Sequence, residues 1–179
     1  MHGGLHIEMA ALKVLGHWLE DAGWIDALVQ AKVATPGTAE AFLKAAHVTQ
    51  TRHAHQVTAS ALYILLIKAY LHYIEMLEPG NQSASFDDWC AQQKENVPQF
   101  YFWHKTLELE LLVLAYIRSL RTRNSPMYVE SLTGLAPWFF SMAHTNCARW
   151  VPVHISNMVN LSKTHPEIAV EFDNGKFTV

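Results

Sequence analysis

Apolar residues recur at intervals of three and four along most of the chain, the spacing that places them on one face of an α-helix. Between positions 5 and 22 this face is formed by Leu5, Met9, Leu12, Leu15, Trp18 and Leu19. Gly23 follows as the expected C-cap of that helix. Residues 24–32 predict a shorter helix, and Thr38 is the expected N-cap of a third helix that runs to position 46.

The longest helical pattern covers residues 49–78, and its residues change from polar to apolar along its length. It begins with polar residues, among them His53 and His55, whereas residues 59–74 are apolar on nearly every face. A helix that is apolar all round is expected at the centre of a fold. Because Lys68 and His72 interrupt this run, which is also short for a bilayer span, it predicts a buried core helix and no contact with a membrane.

Polar residues near positions 79–85 predict a loop, and the helices after it carry clear start and stop signals. Ser85 is the expected N-cap of a short helix whose first turn holds Asp87 and Asp88. A strongly apolar helix is predicted over residues 100–123. Its last turns hold three arginines that suit the negative end of the helix dipole, namely Arg118, Arg121 and Arg123.

The C-terminal stretch, residues 137–177, predicts a helical subregion with two distinct faces. Ser125 is the expected N-cap of the helix before it, which should end near Leu135 because Pro137 breaks the pattern. Pro152 is expected to kink or restart the next helix. Its polar face holds Asn146, Arg149, Asn157 and Asn160. Its apolar face, expected in the core, holds Cys147, Trp150, Val151, His154, Ile155, Met158 and Leu161.

These patterns together predict an all-α fold, an irregular array of about seven to nine helices. Residues 1–179 are expected to form a single helical domain or a fragment of one. The polar face of the C-terminal subregion supplies the candidate contact surface, at Asn146, Arg149 and Asn157.

Composition narrows the classes of function. Sixteen acidic and thirteen basic residues give a net charge of -3, which disfavours autonomous binding to a phosphate backbone. The two cysteines, Cys90 and Cys147, lie far apart, a pattern that fits neither a disulfide scaffold nor a zinc knuckle. With no signal-peptide pattern at the N-terminus, an intracellular location, nuclear or cytoplasmic, is expected.

The eleven histidines raise the question of a metal site, and their spacing argues against one. His53 and His55 are two positions apart, so on a helix they point about 200° apart and cannot share a metal. His6-x-Glu8 matches half of a zinc-deaminase signature whose cysteine half is absent. No metal, cofactor or catalytic residue is therefore predicted, and His6, Glu8 and Glu110 are weak acidic or metal-binding candidates.

Two acidic residues, Glu108 and Glu110, lie on the helix predicted over residues 100–123. His104 and Glu108 are four positions apart and predict a surface pair. Glu110 has apolar helical neighbours and is interpreted as a residue at the edge of a helix packing. If it is buried instead, its carboxylate must be paired or its pKa raised.

One family resemblance rests on GGLHIEMAALKVLGHWLE, on TRHAHQVTASALYIL, and on the segments from Ala136 to Met158 and from His165 to Val179. There the sequence resembles an uncharacterised group of animal proteins that are present in many copies per genome and look like products of mobile elements. It departs from them at Cys147, where a tyrosine is expected. The resemblance implies that the chain continues on both sides, with Gly3 and Gly4 at the exit of a strand.

The resemblance supports two hypotheses of function. In the first, the chain is a non-catalytic interaction or structural segment whose partner is the rest of a larger protein or another protein. In the alternative, it is mostly the helical insertion of a larger RNase H-like transposase or nuclease that binds nucleic acid, with Glu8 near a divalent metal. An oligomerising module is a third possibility, because two helices have wide apolar faces.

Overall fold

The structure, a computed structural model, describes residues 4–78 and 82–176. Within these ranges it contains ten α-helices, a short π-helical turn at Phe172–Lys176 and no strand, which confirms the all-α class. Eight helices, α1 to α8, have at least seven residues, in agreement with the predicted number. The helices are α1 (Gly4–Trp18), α2 (Trp24–Gln30), α3 (Pro36–Leu43), α4 (Val48–Glu75), α5 (Phe86–Asn96), α6 (Pro98–Thr122), α7 (Ser125–Ser141), α8 (Thr145–Val159), α9 (Leu161–Thr164) and α10 (Pro166–Glu171).

The first helices begin and end at different residues from those predicted. Helix α1 stops at Trp18, and Asp21 takes a positive φ of 59°, which turns the chain before position 22. Gly23, with a φ of 77°, is the N-cap of α2 and not the C-cap of α1. Thr35, not Thr38, is the N-cap of α3, because proline at the next position already has the helical φ. Gly4 lies inside α1, whereas Gly3 is outside the described residues.

Neither proline of the C-terminal helices ends its helix. Helix α7 continues through Pro137 to Ser141, and α8 continues through Pro152 without a restart. A proline removes only one backbone donor, and buried Leu135 and Phe139 hold α7 in place on both sides of Pro137. The N-cap of α7 is Asn124, whose Oδ1 accepts a hydrogen bond from the Met127 amide at 2.9 Å. Ser85 caps α5 as predicted, accepting from the Asp88 amide.

The hydrophobic core lies where α1, α6, α7 and α8 meet. Leu15 of α1, Leu109 of α6 and Phe139 of α7 are fully buried in this cluster. A second cluster joins α2, α3 and the start of α4 through Trp24, Phe42 and Ala54. Trp18 packs against both clusters. Its ring stacks on Phe102 and its Nε1 donates to Thr106 Oγ1 at 2.9 Å, which fastens α1 to α6.

Helix α4 is buried at the opposite end from the one predicted. Its buried residues all lie in the small and polar first half: Thr51, Ala54, His55, Thr58 and Ala59. In the apolar second half Tyr63, Leu65 and Leu71 are 55%, 62% and 51% exposed. Only 11% of its most apolar stretch is buried, so the prediction of a core helix over residues 59–74 was wrong. In the described part of the chain α4 is the one helix long and apolar enough to cross a membrane, by length and composition alone.

Small side chains explain this reversal. Ala54, Thr58 and Ala59 let the first half of α4 come close to its neighbours, and its polar groups find partners there. The leucines and isoleucines of the second half are all exposed or only partly buried. Residues 82–85 are irregular, in agreement with the predicted loop, whereas residues 79–81 and 177–179 lie outside the described ranges.

Candidate functional site

An apolar groove of about 590 Å³ lies between α2, α4 and α6. Residues three and four positions apart on α4 face the same side, and this spacing lines one side of the groove with apolar side chains. The α4 wall consists of Val57, Thr58, Ala61, Leu62, Leu65, Leu66 and Ala69. The α2 wall contributes Trp24, Ala27, Leu28 and Ala31, and the α6 wall contributes Phe100, Trp103, His104 and Leu107. The groove therefore runs along the exposed apolar half of α4.

Of the described residues that line this groove, His104 is the one with an ionisable side chain. Burial, reinforced by the nearby Lys94 ammonium, lowers the pKa of His104 and favours the neutral imidazole. Its Nδ1 lies 3.1 Å from Glu108 Oε1, and Glu108 also binds Lys105. The predicted pair exists, but His104 is only 15% exposed and belongs to the groove more than to the open surface. The groove therefore carries almost no charge of its own.

A buried polar cluster lies next to the groove. His55 of α4 and Glu110 of α6 are both fully buried, and His55 Nδ1 lies 2.8 Å from Glu110 Oε1. The Trp24 ring stacks on His55 with a centroid separation of 4.8 Å. Trp24 Nε1 donates to Thr58 Oγ1 at 2.8 Å, and both of these residues also line the groove. The cluster thus connects the groove to the core through one tryptophan ring.

Burial raises the pKa of Glu110, although the neighbouring His55 acts in the opposite direction. The two side chains share one hydrogen bond, and His55 Nε2 and Glu110 Oε2 find no further partner among the described residues. The interpretation of Glu110 as an edge residue was wrong. The condition that a buried carboxylate at this position must be paired or have a raised pKa is met in both respects.

Glu8 lies in a separate buried ion pair. Its Oε1 accepts hydrogen bonds from Arg52 Nε at 2.9 Å and from Arg52 Nη2 at 2.5 Å. His6 is exposed on another side of α1. Beside Glu8, burial raises the pKa of Tyr116, whose hydroxyl donates to the Gly4 carbonyl at 3.1 Å. In the described ranges no group of three or more His, Cys, Asp or Glu side chains could hold a metal ion.

The candidate contact surface on α8 is exposed, but the predicted apolar face is only partly buried. Asn146, Arg149 and Asn157 are exposed. Trp150, expected in the core, is 61% exposed, because the buried arc of α8 is narrower than predicted and contains Cys147, Ala148 and Val151. His154 is half-buried and hydrogen-bonded to the Tyr128 hydroxyl at 3.0 Å, and burial lowers the pKa of its imidazole.

A second, polar pocket brings two predicted candidates together. His6 of α1 and Asn146 of α8 line a cavity of about 310 Å³ with Lys13, His144 and other residues. Burial, with Lys13 nearby, lowers the pKa of His144. Arg149 and Asn157 do not line this cavity, and neither do Glu8 and Glu110. The predicted site residues therefore lie in at least three separate places.

The fold and the groove define an all-α protein with an open apolar cleft between three helices. The chain belongs to the family described as "Domain of unknown function (DUF8702)", whose model matches residues 73–179. The match begins near the end of α4, so the α6 wall of the groove lies inside it and the α2 wall outside. The chain matches no curated protein and no solved structure.

Proposed function

We propose that this chain is a non-catalytic binding module that holds an amphipathic helix of a protein partner in the groove between α2, α4 and α6. The observation that carries the proposal is the exposed apolar wall of α4. Leucine and alanine side chains there face a cleft instead of a core, and Leu65 is 62% exposed. Contiguous apolar surface of this kind marks interaction sites on soluble proteins.

The size of the groove suits about three turns of helix. Its α4 wall extends from Val57 to Ala69, about 18 Å at 1.5 Å per residue. A partner helix with apolar residues at i, i+3, i+4 and i+7 would present a matching stripe. Covering a half-exposed leucine stabilises a complex by about 1 kcal/mol, so several such contacts give a specific but reversible association.

The electrostatics of the groove favour an apolar occupant. Among the described residues no lysine, arginine, aspartate or glutamate lines it, and burial lowers the pKa of its histidine, His104. A nucleic-acid site would need a positive surface to contact phosphates. The lining therefore supports a protein partner over nucleic acid.

The test uses an apolar dye whose fluorescence rises on binding, together with a synthetic amphipathic helix of about 14 residues with leucines at i, i+3, i+4 and i+7. We expect the wild-type chain to bind the dye and the peptide to displace it. Leu65→Glu, which places a carboxylate in the α4 wall, should weaken both interactions at least tenfold, about 1.4 kcal/mol. Leu65 is exposed, so the variant should keep its unfolding midpoint.

The matched control is Leu111→Glu, the same change at a 51% exposed leucine of α6 that does not line the groove. It should leave dye and peptide binding unchanged. If both variants bind alike, or if the peptide fails to bind the wild-type chain, the groove is not a helix-binding site.

A mobile-element origin, an intracellular location and the alternative of a nuclease fragment stay predictions. The alternative requires Glu8 to bind a divalent ion, although its carboxylate is paired with Arg52. Calorimetry with Mg²⁺ or Mn²⁺ on the wild-type chain and on Glu8→Ala tests it. Without heat of binding, or with the same heat from both chains, the alternative fails.

A further inference from the structure

A single histidine, His104, can change the charge of the apolar groove between α2, α4 and α6. Its side chain is only 15% exposed, and its ring lies beside Phe100 of the same α6 wall, with ring centroids 5.7 Å apart. Every other described residue of the lining is uncharged, and Thr58 and Gln99 are the polar ones among them. A proton on the His104 imidazole therefore places a positive charge in a wall that otherwise has none.

Three charged side chains lie near this imidazole. Lys94 comes from α5, whereas Lys105 and Glu108 come from α6, the helix of His104 itself. The described residues of α2 and α4 that line the groove carry no charge. Glu108 Oε1 lies 3.1 Å from His104 Nδ1, but the same carboxylate also accepts a hydrogen bond from Lys105 Nζ at 2.6 Å. The negative charge beside His104 is therefore already balanced by a lysine.

Burial decides which form of the imidazole the groove favours. Burial is the largest cause that lowers the pKa of His104, and Lys94 lowers it further, whereas Glu108 raises it. The pKa of His104 therefore lies below its ordinary value of about 6.5, and the imidazole is mainly neutral at about pH 7. A helix in the groove would cover the exposed part of the ring and remove water that solvates the charged form. His104 then holds a proton less tightly in the occupied groove than in the empty one.

We propose that His104 makes the groove a pH-dependent binding site, which holds an apolar helix while the imidazole is neutral and releases it when the imidazole gains a proton. This inference rests on the proposed function, because it concerns the regulation of the same groove. By linkage, the affinity is complete above the pKa that His104 has in the empty groove, and it declines as the pH falls through that value. The decline is at most about tenfold per pH unit, because one proton is involved, and it ends below the pKa that His104 has in the occupied groove.

Isothermal titration calorimetry of the full 179-residue chain with the amphipathic leucine peptide tests the inference. The peptide has blocked ends and carries only lysine and glutamine beside its leucines, so that none of its own groups titrates between about pH 5 and 8. We expect the affinity to fall at least about threefold from pH 8 to 5. Where it falls, binding should release protons, so the measured heat should depend on the ionisation heat of the buffer.

His104→Phe is the decisive variant, because it keeps an aromatic ring beside Phe100 but cannot take up a proton. It should bind the peptide with the same affinity at both ends of this pH range. The matched control is His17→Phe, the same change at an exposed histidine of α1 that does not line the groove. The control should keep the wild-type pH profile.

Two charge variants test the physical cause of the pH dependence. Lys94→Met removes an ammonium group that lowers the pKa of His104, so the decline in affinity should move to higher pH. Glu108→Gln removes the carboxylate that raises this pKa, so the decline should move to lower pH. The imidazole resonance of His104, identified by its absence in His104→Phe, should titrate with the same shifts in NMR spectra. A general loss of stability cannot move the profile in opposite directions.

The possible failures of the two proposals are distinguishable. A peptide that binds at no pH overturns both, because the groove then holds no helix. A peptide that binds equally well at all pH values, or a His104→Phe variant that keeps the wild-type profile, overturns the pH regulation alone. Partial unfolding at low pH gives the second of these results, because it would persist in His104→Phe. Shifts of the profile opposite to those expected for Lys94→Met and Glu108→Gln also overturn the regulation.

Discussion

The buried pair of His55 and Glu110 should contribute to stability only as a pair. In Glu110→Met the imidazole keeps its place beside Trp24 but loses the partner of its Nδ1, 2.8 Å away, and its Nε2 has no described partner either. Leaving a fully buried polar group without a hydrogen bond costs about 1 to 3 kcal/mol, and breaking a buried pair costs about 3 to 5. The two ranges meet at about 3 kcal/mol. We therefore expect a loss of about 3 kcal/mol.

His55→Phe should cost a similar amount, about 2 to 3 kcal/mol, for the reciprocal reason. A phenyl ring can still stack on Trp24, so the loss comes mainly from the isolated carboxyl of Glu110. The double variant His55→Phe/Glu110→Met leaves no polar atom of the pair in the core. Replacing both partners of a buried pair with apolar groups is often neutral or stabilising. The double variant should therefore lie within about 1 kcal/mol of the wild type, with a coupling energy of roughly 4 kcal/mol.

The assay is equilibrium unfolding in urea of the wild type and the three variants, with the slope compared to exclude a change in the denatured state. Glu110→Gln is the conservative control, since an amide can still hydrogen-bond to His55, and it should cost less than about 1 kcal/mol. If the two single losses simply add in the double variant, His55 and Glu110 do not act as a pair.

Three further predictions concern other parts of the fold. Burial raises the pKa of Glu110, so the folded chain binds the Glu110 proton more tightly than the unfolded chain. The contribution of this proton to stability is complete below the unfolded pKa of about 4.3 and is lost as the pH rises through the folded pKa. Wild-type stability relative to Glu110→Gln should therefore fall in urea titrations as the pH rises above about 4.3, and a constant difference would contradict this. Trp150→Ala, at a 61% exposed site, should cost less than about 1 kcal/mol, whereas Phe139→Ala in the core should cost about 3 to 5 kcal/mol. Equal thermal midpoints of the two variants would contradict the exposure of Trp150. Gly16→Ala would place a Cβ 2.0 Å from the Leu43 carbonyl oxygen and should cost about 1 to 3 kcal/mol, while Gly37→Ala meets nothing within 4 Å and serves as the thermal-unfolding control.

Helix class and some helix boundaries, such as the start of α5, could be predicted from local signals. Ser85 caps α5 because its hydroxyl is next to the amides that need an acceptor, and such signals depend only on neighbouring residues. The proline-containing helices show the limit of these signals. Pro137 and Pro152 predicted breaks, but the energy of one lost hydrogen bond is smaller than that of the packing of α7 and α8.

Of the candidate site, the sequence predicted only the polar surface of α8, the His104–Glu108 pair and the requirement that a buried Glu110 be paired. His55 as its partner is 55 positions away, and no local pattern identifies it. The one available signal was the presence of small and polar residues at the start of α4, which suits a close helix crossing. The groove was missed because the apolar second half of α4 was expected inside the core.

The sequence by itself determined that this chain is helical and which residues share a face of each helix, because backbone hydrogen bonding and the period of 3.6 are local properties. Only the tertiary structure decided which faces are covered. Trp150 and Leu65 are as apolar as Phe139, yet they are exposed and Phe139 is buried. Burial depends on which helices meet. For α4 that was decided by Ala54, Thr58 and His55, small or paired residues that let α2 and α6 come close, and not by its most hydrophobic residues.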